Sequence, residues 1–199
     1  MTRVAFTGHI AGFGSGAGVR MVVGVWQDSP FGSFADVMVQ TADNRRLLLA
    51  PSQEVAEFVS ATYSFDDIQI GPVVADLQPG RLTVTAAELD VTVELAGPAP
   101  VDWLLRWVPK FLATAPWWLR LIDPIASRVL PGVHTAGSAG NGRREFYGVR
   151  RSRRIGALSG QFRGTPLGGL AELSPPVAFG FSSAPPLPQL VSVTTTIFL

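Results

Sequence analysis

Between Pro100 and Pro131 the chain changes its periodicity over the longest such stretch it has. Apolar residues on either side alternate with polar ones or run in short β-branched stretches, the pattern of strands. Inside the stretch they fall at helical spacing. The stretch also holds four of the five tryptophans (Trp103, Trp107, Trp117 and Trp118) and the single lysine, Lys110. A fold for this chain must therefore join two β-rich halves through one helical insert.

The insert predicts three short helices hinged by proline rather than one rod. Asp102, Arg106 and Lys110 share one face at spacing four, with Asp102 and Arg106 paired, while Trp103, Leu104, Trp107 and Val108 fill the rest. Pro109 has no amide to donate and clashes with the preceding turn, so the first helix ends or kinks there. Thr114 is suited to cap a second helix with Pro116 in its first turn. Asp123-Pro124 is suited to open a third that stops at Pro131-Gly132. The longest uncharged run here, Phe111 to Leu119, is nine residues. A membrane-spanning helix needs about 20.

The flanking halves are read from turns and alternation. Strands are expected over 4–13 and 19–26, with the glycine run Gly12 to Gly18 as a loop between them. This run lacks the Gly-Lys-Ser/Thr ending of a P-loop, and β-branched residues rather than a helix follow it, so it is not read as a phosphate cradle. Phe34 to Thr41 is a strand with Phe34, Asp36, Met38 and Gln40 on one face, and Arg45 to Ala50 is its hairpin partner. Ser52 caps a helix from Gln53 to Tyr63. Asp66 to Val74 reads as strand. Leu82 and Val84 alternate before Ala86-Ala87, and Leu89, Val91, Val93 and Leu95 after it with the parity reversed, which calls for a tight turn or a bulge. Gly132 to Gly142 is expected to be a loop and Arg143 to Ile155 an arginine-loaded strand. The residues from Val191 alternate to the end.

At 199 residues this is one domain, large enough to form a core without staples. Cysteine is absent, which excludes disulfides, thiol catalysis and cysteine-ligated metals. No apolar run with a small-residue cleavage site stands at the amino terminus, so a soluble, cytoplasmic protein is expected. Charge is uneven: residues 1–100 carry five arginines against eleven acidic side chains, and residues 101–199 eleven basic against four acidic. The simpler reading is two halves that face each other across one fold. Such asymmetry also suits a surface that meets anions.

Several local patterns bear on chemistry. Gly24-Val25-Trp26 resembles the Gly-x-Trp signature of lipocalins, which would imply a barrel holding an apolar ligand. In that family the triplet opens the first barrel strand, whereas here it ends the second, and a tryptophan closing a barrel end is the preferred reading. Pro109-Lys110 resembles the Pro-Lys pair at the catalytic lysine of acetoacetate decarboxylases, which would imply a Schiff-base lysine. The glutamate preceding that pair in the family is missing here. A lysine beside Trp107 and Phe111 would be desolvated and its pKa lowered, but a side chain snorkelling from an amphipathic helix is preferred. Ala136-Gly137-Ser138-Ala139-Gly140 approximates a nucleophile elbow, yet both histidines, His9 and His134, precede Ser138 and the flanks read as loop. Two histidines without a third donor specify no metal site, and no cofactor is expected.

The combined expectation is a mainly β protein, an antiparallel β-barrel or strongly curved sheet. A short helix stands near 53–63 and the helical insert at 100–131 lies across one end. The expected function is binding of a hydrophobic small molecule or lipid in the barrel cavity, with the insert as lid or membrane-surface contact. Trp103, Trp107, Lys110, Phe111, Trp117 and Trp118 are the expected ligand-binding residues. Peripheral contact with an anionic membrane follows from tryptophans and arginines on the same half, and nucleic acid is the weaker partner. The tryptophans packing over a barrel mouth, with the arginines keeping a strand edge soluble, is an equal alternative. An enzyme acting on a small apolar or carbonyl substrate in the same cavity, through Lys110 or an aspartate, stays open. So do a partner-binding structural role and the oligomeric state.

Overall fold

The structure is a computed structural model describing residues 2–129, 135–138, 142–180 and 183–199; of residues 110, 111, 125–129 and 138 it describes the backbone alone. The chain is mainly β. Its strands in chain order are β1 (Arg3–Ser15), β2 (Arg20–Asp28), β3 (Phe34–Gln40), β4 (Arg46–Ala50), β5 (Asp67–Ile70), β6 (Val74–Gln78), β7 (Arg81–Ala86), β8 (Leu89–Pro98), β9 (Ala136–Ser138), β10 (Arg144–Phe162), β11 (Thr165–Pro166), β12 (Leu170–Ala171) and β13 (Gln189–Phe198). The helices are α1 (Gln53–Ser60), α2 (Asp102–Leu105), α3 (Lys110–Ala113) and α4 (Pro116–Val129).

One curled sheet organises the molecule, with strand order β5-β4-β3-β2-β1-β13-β10-β8-β7-β6. At its centre β13 runs antiparallel to β1, from Arg3↔Phe198 to Gly12↔Gln189, and to β10 on its other side. The two wings then bend toward each other. One face of β1–β4 (Ala11, Phe13, Met21, Val23, Val37, Val39, Leu49) packs in a single buried cluster with Leu82 and Val84 of β7, Val91 and Val93 of β8, and Ile155 and Leu158 of β10. Those alternating apolar positions are what curl the sheet into a half-barrel, because each wing hides the other's apolar side from water. The parity change between Val84 and Leu89 is a two-residue turn at Ala87-Glu88, not a bulge.

Four expectations are corrected. The glycine run is mostly strand, since β1 continues through Gly12 and Gly14 to Ser15 and the turn is confined to residues 16–18. Gly14 serves close packing there: a Cβ would come within 2.2 Å of the Glu172 carbonyl oxygen. The sheet is not wholly antiparallel, because α1 carries the chain across and lets β5 run parallel to β4. The stretch 66–74 divides into β5 and the start of β6. Residues 136–138, expected to be loop, pair with β10 as β9, while His134, Ala139 and Gly140 lie outside the described residues.

Ser52 caps α1 as expected, accepting from the Val55 amide at 3.3 Å. The insert does form three helices, but their boundaries differ. α2 and α3 are single turns on either side of Pro109, and α4 runs through Pro124 instead of restarting there. Asp123 does not cap a new helix; its Oδ1 accepts from the amides of Thr135 (2.5 Å) and Ala136 (3.1 Å), tying α4 to β9.

The insert sits beside β10 between the segments that pair with β9 and with β8. Asp102 fixes it there. Its carboxylate, fully buried, accepts from the Ser152 amide at 2.9 Å, from Arg151 Nε at 2.9 Å and Nη2 at 3.2 Å, and from Arg106 Nε at 2.9 Å. The Asp102–Arg106 pair expected on the helix surface is thus one part of a clamp in which half-exposed arginines hold a buried carboxylate. These bonds, led by that from Arg151, hold the Asp102 carboxyl down at about 2. Other arginines of the second half are also spent within the fold. Arg153 donates to the Ala96 carbonyl, and Arg163 pairs with Glu88 at 2.5 Å.

Candidate functional site

The face of the central strands turned away from the curled core carries a cavity of about 480 Å³. The strand period of two dictates its floor. Phe6, Ile10 and Gly12 of β1 lie beside Val22, Gly24 and Trp26 of β2 and Phe34, Asp36 and Met38 of β3; on the other side stand alternate residues of β13 from Gln189 to Ile197, and Glu145, Tyr147 and Val149 of β10. The roof comes from Phe58, Val59, Thr62 and Tyr63 at the end of α1, from Leu104, Leu105, Val108, Trp118, Leu119 and Ile122 of the insert, and from Val177 and Phe179. Gln40 Oε1 accepts from the Ala178 amide and Arg20 donates to the Pro175 carbonyl, which pins that last segment over the sheet.

Apart from the Ser152–Gln189 pair and the hydroxyls of Thr62, Thr135 and Ser183, the polar groups of this wall stand in two places. Tyr63 donates to Glu145 Oε1 at 2.7 Å, and the Tyr63 and Tyr147 hydroxyl oxygens stand 2.5 Å apart. Glu145 is 1% exposed, and burial pushes its carboxyl up to about 7 although the bonds from Tyr63 and Tyr147 and the charge of Arg143 oppose this. Burial first, and then the nearby carboxylate, raise both tyrosines well above their ordinary range. Glu145 Oε2 and the hydroxyl of Thr195, which faces Tyr147 across the β10–β13 pair, are buried and have no hydrogen-bond partner among the described residues. Arg143 is committed elsewhere: Nη1 donates to the Phe58 carbonyl at 3.1 Å and Thr62 Oγ1 at 2.8 Å, and its guanidinium lies 4.8 Å from the Phe58 ring centre.

The second polar place is Asp36. Its Oδ1 accepts from Trp26 Nε1 at 2.8 Å, and burial pushes the carboxyl up to about 7 against that bond. Gly24 makes room for the pair, since a Cβ there would stand 2.4 Å from Asp36 Oδ1 and 2.5 Å from Trp26 Nε1. Trp26 therefore does more than close an end of the sheet. With Phe6 and Phe34 it forms an aromatic cluster (Phe6–Trp26 centroids 5.6 Å) around one end of the cavity.

Of the residues expected to bind a ligand, Trp118 lines the cavity. Trp103, Trp107 and Trp117 are exposed on the outer side of the insert, at 70%, 75% and 62%. The side chains of Lys110 and Phe111 lie outside the description, so the Pro109-Lys110 pair is placed only as the start of α3. Sequence reasoning missed Glu145, Tyr147 and Tyr63. The available signal was in β10: a lone acid among arginines, two residues from Tyr147 and four from Val149, on one face of a strand. Asp36 between Phe34 and Met38 carried a similar signal. Among the described residues no cluster of His, Cys, Asp or Glu could hold a metal ion, and no helix is long and apolar enough to cross a membrane.

No protein-family model matches the chain, and no curated protein matches it. Among solved structures it is similar to an acetoacetate decarboxylase from Legionella pneumophila subsp. pneumophila str. Philadelphia 1. The identity is 7% and the TM-score 0.46, over 100% of this chain and 85% of that one.

Proposed function

We propose that this protein binds a small, largely apolar molecule between the outer face of its curled sheet and the helices of the insert. The observation that carries this is the cavity of about 480 Å³, walled by aliphatic and aromatic side chains with a few convergent polar groups. That combination of size and lining is typical of ligand sites. α2 to α4 act as the lid. Leu104, Leu105, Leu119 and Ile122 face the cavity from helices interrupted at Pro109 and Ala115, which Asp102 and Asp123 tether to β10 and β9. Native mass spectrometry of the purified protein, with calorimetric titration of 1-decanol, tests the reading. A co-purified apolar molecule or saturable decanol binding is expected; an unliganded mass together with no decanol binding overturns it.

The outer side of the same lid supports peripheral contact with an anionic membrane. Trp103, Trp107, Trp117 and Leu121 are exposed there beside Arg106 and Arg120. A lid that opens at a membrane surface would take its ligand directly from the lipid phase. Flotation with phosphatidylglycerol vesicles is expected to recover the protein, and phosphatidylcholine vesicles are expected to recover less.

A second reading is favoured by one observation. Two buried carboxyls near neutrality and two tyrosines line one largely apolar cavity, an arrangement suited to moving a proton on a carbonyl substrate. Exchange of α-protons of 2-decanone in deuterium oxide, followed by NMR, tests it. No exchange above the protein-free rate overturns it.

A further inference from the structure

We infer that the cavity selects a lipophilic primary amine, held as its ammonium ion by Glu145, Thr195 and the Tyr63–Tyr147 pair. This rests on the proposed binding function and names its ligand class.

The open polar positions in the wall are the reason. Tyr63 gives its proton to Glu145 Oε1, and the Tyr147 hydroxyl lies within bonding distance of Tyr63 and of Glu145. The protons of the two tyrosine hydroxyls are thus engaged between themselves and Glu145, which leaves the carboxylate with acceptor capacity unused. Glu145 lines the cavity, and its Oε2, buried in the structure, has no partner among the described residues. Thr195 Oγ1, 3% exposed, is in the same condition, and Thr195 stands directly across from Tyr147 and diagonally from Glu145. An ammonium group carries three donors and no acceptor. It can donate to both unpartnered oxygens at once and brings a positive charge to the carboxylate; an alcohol has one proton to give and no charge, and a carboxylate has no proton for Glu145 Oε2.

Charge points the same way. Among the described residues that line the cavity two are acidic, Asp36 and Glu145, and none is basic. The nearby Arg143 is held by the Phe58 carbonyl, Thr62 and the Phe58 ring. A fatty carboxylate entering this space would add a third buried acid without a counter-charge, which is heavily disfavoured. A cation instead stabilises the ionised form of Glu145 that burial otherwise opposes. Aromatic side chains line the same wall, Tyr63 and Tyr147 among them, and such rings attract a cation.

The test compares three probes of one chain length, decylamine, 1-decanol and decanoate, by calorimetric titration of the intact protein at pH 7. Decylamine is expected to bind about tenfold or more tighter than 1-decanol, as a charge-assisted bond in a largely apolar site should, and decanoate weakest. In Glu145→Gln the amine-to-alcohol ratio is expected to fall toward one. Decanol or decanoate binding as tightly as decylamine to the unsubstituted protein overturns the inference while leaving the cavity function standing, and that comparison needs no variant to fold. A Glu145→Gln protein that keeps the full amine preference also overturns it. If none of the three probes binds, the cavity function falls with it.

Discussion

The hydroxyl oxygens of Tyr63 and Tyr147 stand 2.5 Å apart and join the segment just after α1 to the first residues of β10 across 84 residues of sequence. Tyr63 also donates to Glu145, so the same hydroxyl couples the roof of the cavity to its floor. Tyr63→Phe removes that donor and keeps the ring. A buried carboxyl then loses a partner, which costs about 1–3 kcal/mol. Urea denaturation is expected to show a stability loss of that size. Because the Tyr63 bond is one of the influences holding the Glu145 carboxyl down, its titration followed by carbon NMR is expected to move higher in the variant.

Stability is expected to fall as pH rises from about 5 to 8 through the two buried acids. Asp36 and Glu145 are both raised to about 7 in the folded protein, above their unfolded values near 4. A raised folded pKa means that the native state holds the proton more tightly. Its contribution is therefore full below about pH 4 and lost as pH passes through 7, by a few kcal/mol for each group. The groups that face them are Tyr63, Tyr147 and Arg143 for Glu145, and Trp26 for Asp36. Glu145→Gln is expected to flatten part of this slope, so that the variant matches or exceeds the parent at pH 8 while losing ground at pH 5. Denaturation midpoints at the two pH values check it; parallel shifts at both would contradict it.

Asp102 behaves in the opposite sense. Its carboxyl is held at about 2, chiefly by Arg151 and also by the Ser152 amide and Arg106. A depressed pKa gives a contribution present above about pH 4 and lost as pH falls through 2, on the order of 2 kcal/mol. Asp102→Asn removes the charge that both guanidiniums meet and loosens the insert from β10. Hydrogen exchange of amides in 101–122 is expected to speed up while those of β1 and β13 keep their protection. Equal acceleration in both regions would mean that Asp102 supports the whole sheet rather than the lid.

How much of this was legible in the sequence follows from what each element needs. Leu89, Val91, Val93 and Leu95 show their buried face by alternation alone, and the wing built on them pairs as that alternation requires. The cap at Ser52 is local chemistry and was equally readable. The cavity was not, because its wall joins β1, β3, β10, β13 and the end of α1, and no local pattern says that these meet. Tyr63 reaches Glu145 over 82 residues. The insert attracted attention by its tryptophans, yet three of those rings face outward, and the inward surface is mostly aliphatic. Helical periodicity gives the faces of a helix, but which face meets the sheet is set by tertiary ties such as Asp102 to Ser152.

The two sides of the insert are expected to separate by mutation. Trp118 is half-buried and lines the cavity, whereas Trp103 and Trp107 are exposed at 70% and 75%. Truncating a ring that packs on a bound chain removes most of its contact area, so Trp118→Ala is expected to weaken 1-decanol binding about tenfold, with 2–3 kcal/mol lost in stability. Trp103→Ser with Trp107→Ser takes nothing from the cavity wall, and exposed positions of this kind change stability by about 0.5 kcal/mol or less. That double variant is expected to bind decanol like the parent and to lose recovery with phosphatidylglycerol vesicles. Calorimetry and flotation on the same preparations read the two effects independently. Decanol affinity that drops in the double variant would mean that the outer rings fold inward over the ligand. Unchanged vesicle recovery would instead remove the membrane role from this face and leave the lid its inner side alone.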